Sequence, residues 1–93
     1  MSAEEQRITN RSEDAYDVNE RLARNAETHR FVSRVPMFCE CADPRCQALV
    51  LVELEHYYRI RRDRSLYLTA PGHRLEGSEP VERGADLWVH RSL

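Results

Sequence analysis

Three cysteines fall within eight positions of this 93-residue chain, in "FCECADPRC", residues 38–46. Cys39, Cys41 and Cys46 are all the cysteines it has. Alternate side chains of an extended segment share a face, so Cys39 and Cys41 point one way and Phe38 and Glu40 the other. Asp43-Pro44 is a strong turn dipeptide, and a turn there brings Cys46 back beside the first two. Three thiolates on one side of a turn suit a tetrahedral Zn2+ ion, at about 2.3 Å from each sulfur. The plainer alternative is three reduced, semi-buried and inert thiols. An iron–sulfur cluster is disfavoured, because such clusters usually take four cysteines.

A fourth ligand must come from elsewhere. The candidates are His29, His56, His73 and His90, with Glu40 and Asp43. His29 and His56 fall on expected helix surfaces. His90 lies in an expected strand beside apolar residues, where a structural role is the commoner outcome. His73 follows a Pro-Gly turn in "APGHR", at a strand end and near the edge where the cysteine turn also lies. The expected ligand set is therefore Cys39, Cys41, Cys46 and His73.

Four protein ligands close a zinc site, whereas a catalytic zinc keeps one position open. Glu40 sits between two ligands but faces away from them. The H-x-E and P-C-x-x-C elements of zinc deaminases are absent. The reading is thus a structural metal. A small metal- or thiol-dependent enzyme is the rival, with Cys46 and His73 as a nucleophile–base pair. On the structural reading His73→Ala reproduces much of the stability loss that metal removal causes, while Arg61→Ala does not.

The elements that must carry these residues follow from periodicity. "SEDAYDVNERLARNAETHRFVSRV" contains no Gly or Pro and repeats Ala15, Val18, Leu22 and Ala26 at helical spacing. It reads as one amphipathic helix from about Ser12 to about Ser33, ended by Pro36. "MFCE" is extended, and "QALVLVEL" is apolar on both faces, so it reads as a buried strand. "ELEHYYRIRRDR" reads as a short helix, "SLYLTA" as a strand, "RLEGSEPVERGA" as a loop and "DLWVHRS" as a last strand. The expected class is α+β: a long N-terminal helix and a small, mainly antiparallel sheet with a second short helix, stapled by zinc. Residues 1–11 are expected to be a flexible N-terminus and residues 12–93 a single zinc-binding domain. Leu22→Asp should destabilise it, by placing a charge in an apolar contact.

A chain this short buries only a modest core, which a metal staple would help. Its net charge of -2 gives no general affinity for nucleic acid. All 14 basic residues are Arg, which reflects a GC-rich genome more than any one partner. The N-terminus has no apolar h-region, and no run approaches the roughly 18 apolar residues of a membrane span. The expected setting is the cytoplasm, with no membrane partner, where clustered Cys are metal ligands or free thiols rather than disulfides.

"RIRRDR" gathers Arg59, Arg61, Arg62 and Arg64 at a helix end. They read first as solvated cations that suit a helix C-terminus. The sharper reading is an anion or partner contact, weakened by Asp63 within the cluster. Tyr57, Tyr58, Tyr67 and Trp88 could stack on bases, but more often such residues pack in a core or on a sheet.

Three stretches together resemble a family of small bacterial proteins common in actinobacteria. They are Phe38-Cys39-Glu40-Cys41-Ala42-Asp43 with Cys46; Tyr57, Ile60 and Arg61; and Leu68 with Pro71-Gly72-His73. "NERLARNAE" resembles the helix that precedes those motifs in that family. The resemblance covers about residues 18–91 and picks out Cys39, Cys41, Cys46 and His73 as a set. It implies no activity. His56 departs from it, standing where the family often has Glu. The expected function is a regulatory or accessory module that binds another protein, as a monomer or homodimer. A nucleic-acid binder acting through the Arg cluster is a further alternative.

Overall fold

The computed structural model describes residues 10–29 and 34–93. Its elements are α1 (Asn10–His29), β1 (Arg34–Phe38), β2 (Leu49–Glu53), α2 (Leu54–Arg61), β3 (Leu66–Thr69), β4 (Ser78–Arg83) and β5 (Trp88–Ser92). The class is α+β, as expected, with a long first helix, a short second helix and antiparallel strands throughout. The strands divide into two sheets: β1 pairs with β2, and β5 lies between β3 and β4.

Helix α1 begins before Ser12, so Asn10 and Arg11 belong to it. Residues 1–9 and 30–33 lie outside the described residues, and with them most of the expected flexible N-terminus and the expected last turn of the helix. Pro36 sits inside β1 rather than ending the helix. A strand with a single hydrogen-bonded neighbour tolerates a residue without an N–H.

The buried face of α1 is rotated from the expected stripe. Ala15 and Ala26 are buried, but Val18 and Leu22 are only half-buried. Tyr16, Asn19 and Ala23 complete the inner face. Helix α1 packs mainly on β1, and small Ala side chains allow the close approach. We therefore expect Ala23→Asp to cost about 3 kcal/mol or more, and Leu22→Asp distinctly less. Thermal melts of the two variants check the order, and equal small losses would show that α1 does not pack this way.

Strands β1 and β2 alternate strictly. Val35 and Met37 face Val50 and Val52 on the core side. "QALVLVEL" is not buried on both faces as expected: Leu49 is 59% and Leu51 49% exposed. Both faces are apolar in sequence, but among the described residues only one is covered. The expected loop at 74–85 also needs correction, since Ser78–Arg83 forms β4. This is an edge strand exposed on both sides, with Pro80 and an irregular register between Pro80 and Glu82. With neither face buried, the period-2 apolar signal has no cause to appear.

The two sheets meet at Glu40. Its N–H donates to the Leu68 carbonyl at 2.9 Å, and its side chain accepts the Leu68 N–H at 2.9 Å. One hydrophobic core runs from Ala23 and Met37 through Cys39, Tyr57 and Leu68 to Val89.

Candidate metal centre

Each donor is placed by short-range chemistry. Cys39 follows β1 directly, and its N–H donates to the Ala48 carbonyl at 3.2 Å, which carries the pairing of β1 with the chain before β2 one step further. The expected turn forms at 43–46: the Cys46 N–H donates to the Asp43 carbonyl at 3.0 Å. The Asp43 carboxylate accepts the Arg45 N–H at 2.9 Å and pins the same turn. A second turn holds His73, whose N–H donates to the Ala70 carbonyl at 3.1 Å. Pro71 and Gly72 occupy its centre, and Gly72 has φ 81°. That left-handed value at the third position marks a type II turn, which favours glycine there.

The four donor atoms lie within 4.8 Å of one another, and the group could hold a metal ion. His73 Nδ1 is 3.5 Å from the sulfurs of both Cys39 and Cys46. Zinc at about 2.3 Å from sulfur and about 2.0–2.1 Å from nitrogen sets tetrahedral S···N edges of roughly 3.6 Å. These two edges therefore match a tetrahedral ion. The Ala70 N–H donates to Cys39 Sγ at 3.2 Å, a contact that favours a thiolate there. Coordination through Nδ1 leaves Nε2 to carry the imidazole proton.

Cys39 and Cys41 are buried, while Cys46 and His73 are half-buried. The cluster thus sits at the margin of the core. Burial pushes the Cys39 thiol up to about 12. Burial raises Cys41 as well. Burial also acts to raise Cys46, but the Ala48 backbone, the neighbouring thiols and the Arg11 cation outweigh it and hold it below the ordinary thiol value.

Arg11 closes the backbone around the cluster, and no local pattern in the sequence marks it out. Its guanidinium donates to the Cys39 carbonyl, to the Cys41 carbonyl at 2.8 Å and to the Cys46 carbonyl at 3.0 Å. One planar fork therefore ties α1 to all three cysteine residues. Asn19 does similar work one strand away. Its side-chain amide accepts the Phe38 N–H and donates to the Phe38 carbonyl, both at 2.8 Å, and donates to Glu40 at 2.7 Å. Asn19 is the first residue of "NERLARNAE", yet nothing local marks it as a buried amide.

The four clustered arginines do not act together. Arg59, Arg62 and Arg64 are exposed, but the side chain of Arg61 is 6% exposed. This corrects the reading of Arg61 as a solvated cation or anion contact. It pairs with Glu40, contacts Glu20 at 3.2 Å and lies 3.7 Å over the Tyr16 ring. Burial alone would weaken its charge, but the Glu40 carboxylate beside it holds it cationic. Burial pushes the Glu40 carboxyl up, while Arg61, Asn19 and the Leu68 N–H pull it back toward the charged form.

The remaining ligand candidates are accounted for separately. His56 Nε2 meets Glu82 at 2.9 Å. His90 is buried against Thr69 at 3.0 Å. The side chain of His29 lies outside the described residues. Among the described residues no helix is long and apolar enough to cross a membrane. No family model, no curated protein and no solved structure matches this chain.

Proposed function

We propose that the chain binds one zinc ion through Cys39, Cys41, Cys46 and His73, and that the metal is structural. We further read the stapled domain as a cytoplasmic accessory module that works by docking on another protein. The convergence of three sulfurs and one imidazole nitrogen carries the first part. A sulfur-rich set with a single nitrogen favours zinc over the hard cations that take oxygen. The ion would join the segment after β1 to the turn after β3, and so one sheet to the other. Four protein donors fill its tetrahedron, which supports stapling rather than catalysis.

The outer face of β1 and β2 supports the docking role. Pro36 stands opposite Leu51, and Phe38 opposite Leu49. Phe38 is 42% exposed, and both leucines more so. Four apolar side chains clustered on one face of a small sheet form the kind of patch that marks interaction surfaces. The resemblance to small actinobacterial proteins implies no activity, so the reading stands on this geometry.

Elemental analysis of protein made without added metal is expected to find about one zinc per chain. Absence of zinc, with three thiols titrating freely in the folded protein, would overturn the metal reading. For docking, Leu49→Ser with Leu51→Ser is expected to abolish retention of a host protein that the wild type retains. Light scattering would reveal instead a homodimer built on the same face. Retention unchanged by the double substitution would exclude the face.

A further inference from the structure

The three-stranded sheet carries a cavity of its own, on the side away from the core. Its volume is about 470 Å3, within the roughly 300–1,000 Å3 usual for small-molecule sites. Clefts beside Leu51 and beside Ile60 hold only about 120 and 150 Å3. Trp88 and His90, two positions apart on β5, share its sheet face. Arg83 pairs with Trp88 across the strands, and the segment after the Pro-Gly turn adds Arg74, Leu75 and Glu76.

Three properties of this lining point to one kind of ligand. First, neither the Arg74 nor the Arg83 guanidinium meets a carboxylate among the described residues, while Arg83 lies 5.4 Å over the Trp88 ring. Two uncompensated guanidiniums beside an aromatic wall suit an anion attached to a flat body. Glu76 is the one carboxylate in the lining and sets a limit on the charge the site accepts. Second, the indole and Leu75 supply the apolar surface on which such a body would rest. Third, His90 is only 3% exposed, and its Nδ1 is the one buried side-chain polar atom among the described residues without a hydrogen-bond partner. The Thr69 hydroxyl lies 3.0 Å from both the Ala70 carbonyl and His90 Nε2, and so occupies the other ring nitrogen. Nδ1 is left without a hydrogen-bonding partner. A buried polar atom left unpaired is costly, and a hydrogen-bonding group on its side of the cleft would relieve it.

We propose that this cleft binds a small planar anion that carries a hydrogen-bonding N–H or O–H group on its aromatic body. The anionic group meets Arg74 and Arg83, the ring rests against Trp88, and the hydrogen-bonding group is directed to the His90 side. The inference does not depend on a metal at the neighbouring cluster. A nucleoside monophosphate and a hydroxylated aromatic carboxylate both have this chemistry, and the test separates them.

Trp88 is the only tryptophan, so its fluorescence reports on this cleft alone. The full chain is titrated with adenosine monophosphate, with 4-hydroxybenzoate and with inorganic phosphate, and calorimetry follows the same additions. At least one aromatic anion is expected to give a saturable change, and the better of the two identifies the phosphate or the carboxylate class. Arg74→Ala with Arg83→Ala is expected to weaken binding at least tenfold. Both side chains are exposed, and a melt confirms that the variant folds. Glu76→Gln provides an independent check and is expected to tighten binding several-fold. No saturable change with either aromatic anion would overturn the proposal, as would binding indifferent to the Arg substitutions. Inorganic phosphate binding as well as the aromatic anions would overturn the planar body.

Discussion

Removing the metal at neutral pH is expected to lower the melting temperature by about 20 °C or more. The three cysteines lie in one short segment, and His73 is 34 positions beyond Cys39. An ion held by all four closes that loop and ties the two sheets together. The unfolded chain has no preformed site, so the binding energy counts as folding energy. Structural zinc contributes an apparent 10–16 kcal/mol or so in small domains, as large as the whole stability of about 5–15 kcal/mol. Each kcal/mol lost moves the midpoint of a domain this size by about 4–8 °C. Circular dichroism melts with and without chelator measure the effect, and added zinc should restore the original midpoint. Acid should act in the same direction, because protons compete for thiolates and imidazole. His73→Ala should reproduce much of the loss. A metal-free protein that melts at nearly the same temperature would sink the structural reading and bring a metal-dependent enzyme to the front.

The second large effect lies away from the donors. Arg61→Ala and Glu40→Ala are each expected to cost about 3–5 kcal/mol, because each leaves the other's charge buried without its partner. Glu40 has a further reason to matter: it carries the hydrogen bonds that join β3 to the segment holding Cys39 and Cys41. Arg61→Lys should recover only part of the loss, since an ammonium cannot reproduce a fork that spans Glu40, Glu20 and Tyr57. The pair Glu40→Leu with Arg61→Met should cost much less than the sum of the two alanine substitutions, because no lone charge remains. Urea unfolding of the set decides the matter. An Arg61→Ala midpoint close to wild type would show that the pair is not buried in solution. The sequence alone did not expect a large loss from Arg61→Ala, whereas the buried ion pair implies one.

That contrast marks the boundary between what was legible in the chain and what was not. Cys39 and Cys41 alternate on one extended segment, Asp43-Pro44 turns the chain, and Pro71-Gly72 turns it again before His73. Each of these depends on residues within about four positions, so backbone preference alone decides it. The same holds for the existence of α1 and α2. The α+β class and the candidate ligand set could therefore be read from the sequence alone.

Contacts between distant residues could not. Arg61 and Glu40 are 21 positions apart, and Arg11 reaches carbonyls 28 to 35 positions away. In sequence a buried guanidinium looks the same as a solvated one, because its cost and its compensation are both set by what packs around it. The outer face of β2 shows the converse: Leu49 and Leu51 look like core residues but stand exposed. Edge strand β4 had no buried side to impose a pattern. Local steric preference fixes a turn wherever it occurs, whereas burial is a property of two surfaces meeting, and only the folded chain determines which surfaces meet.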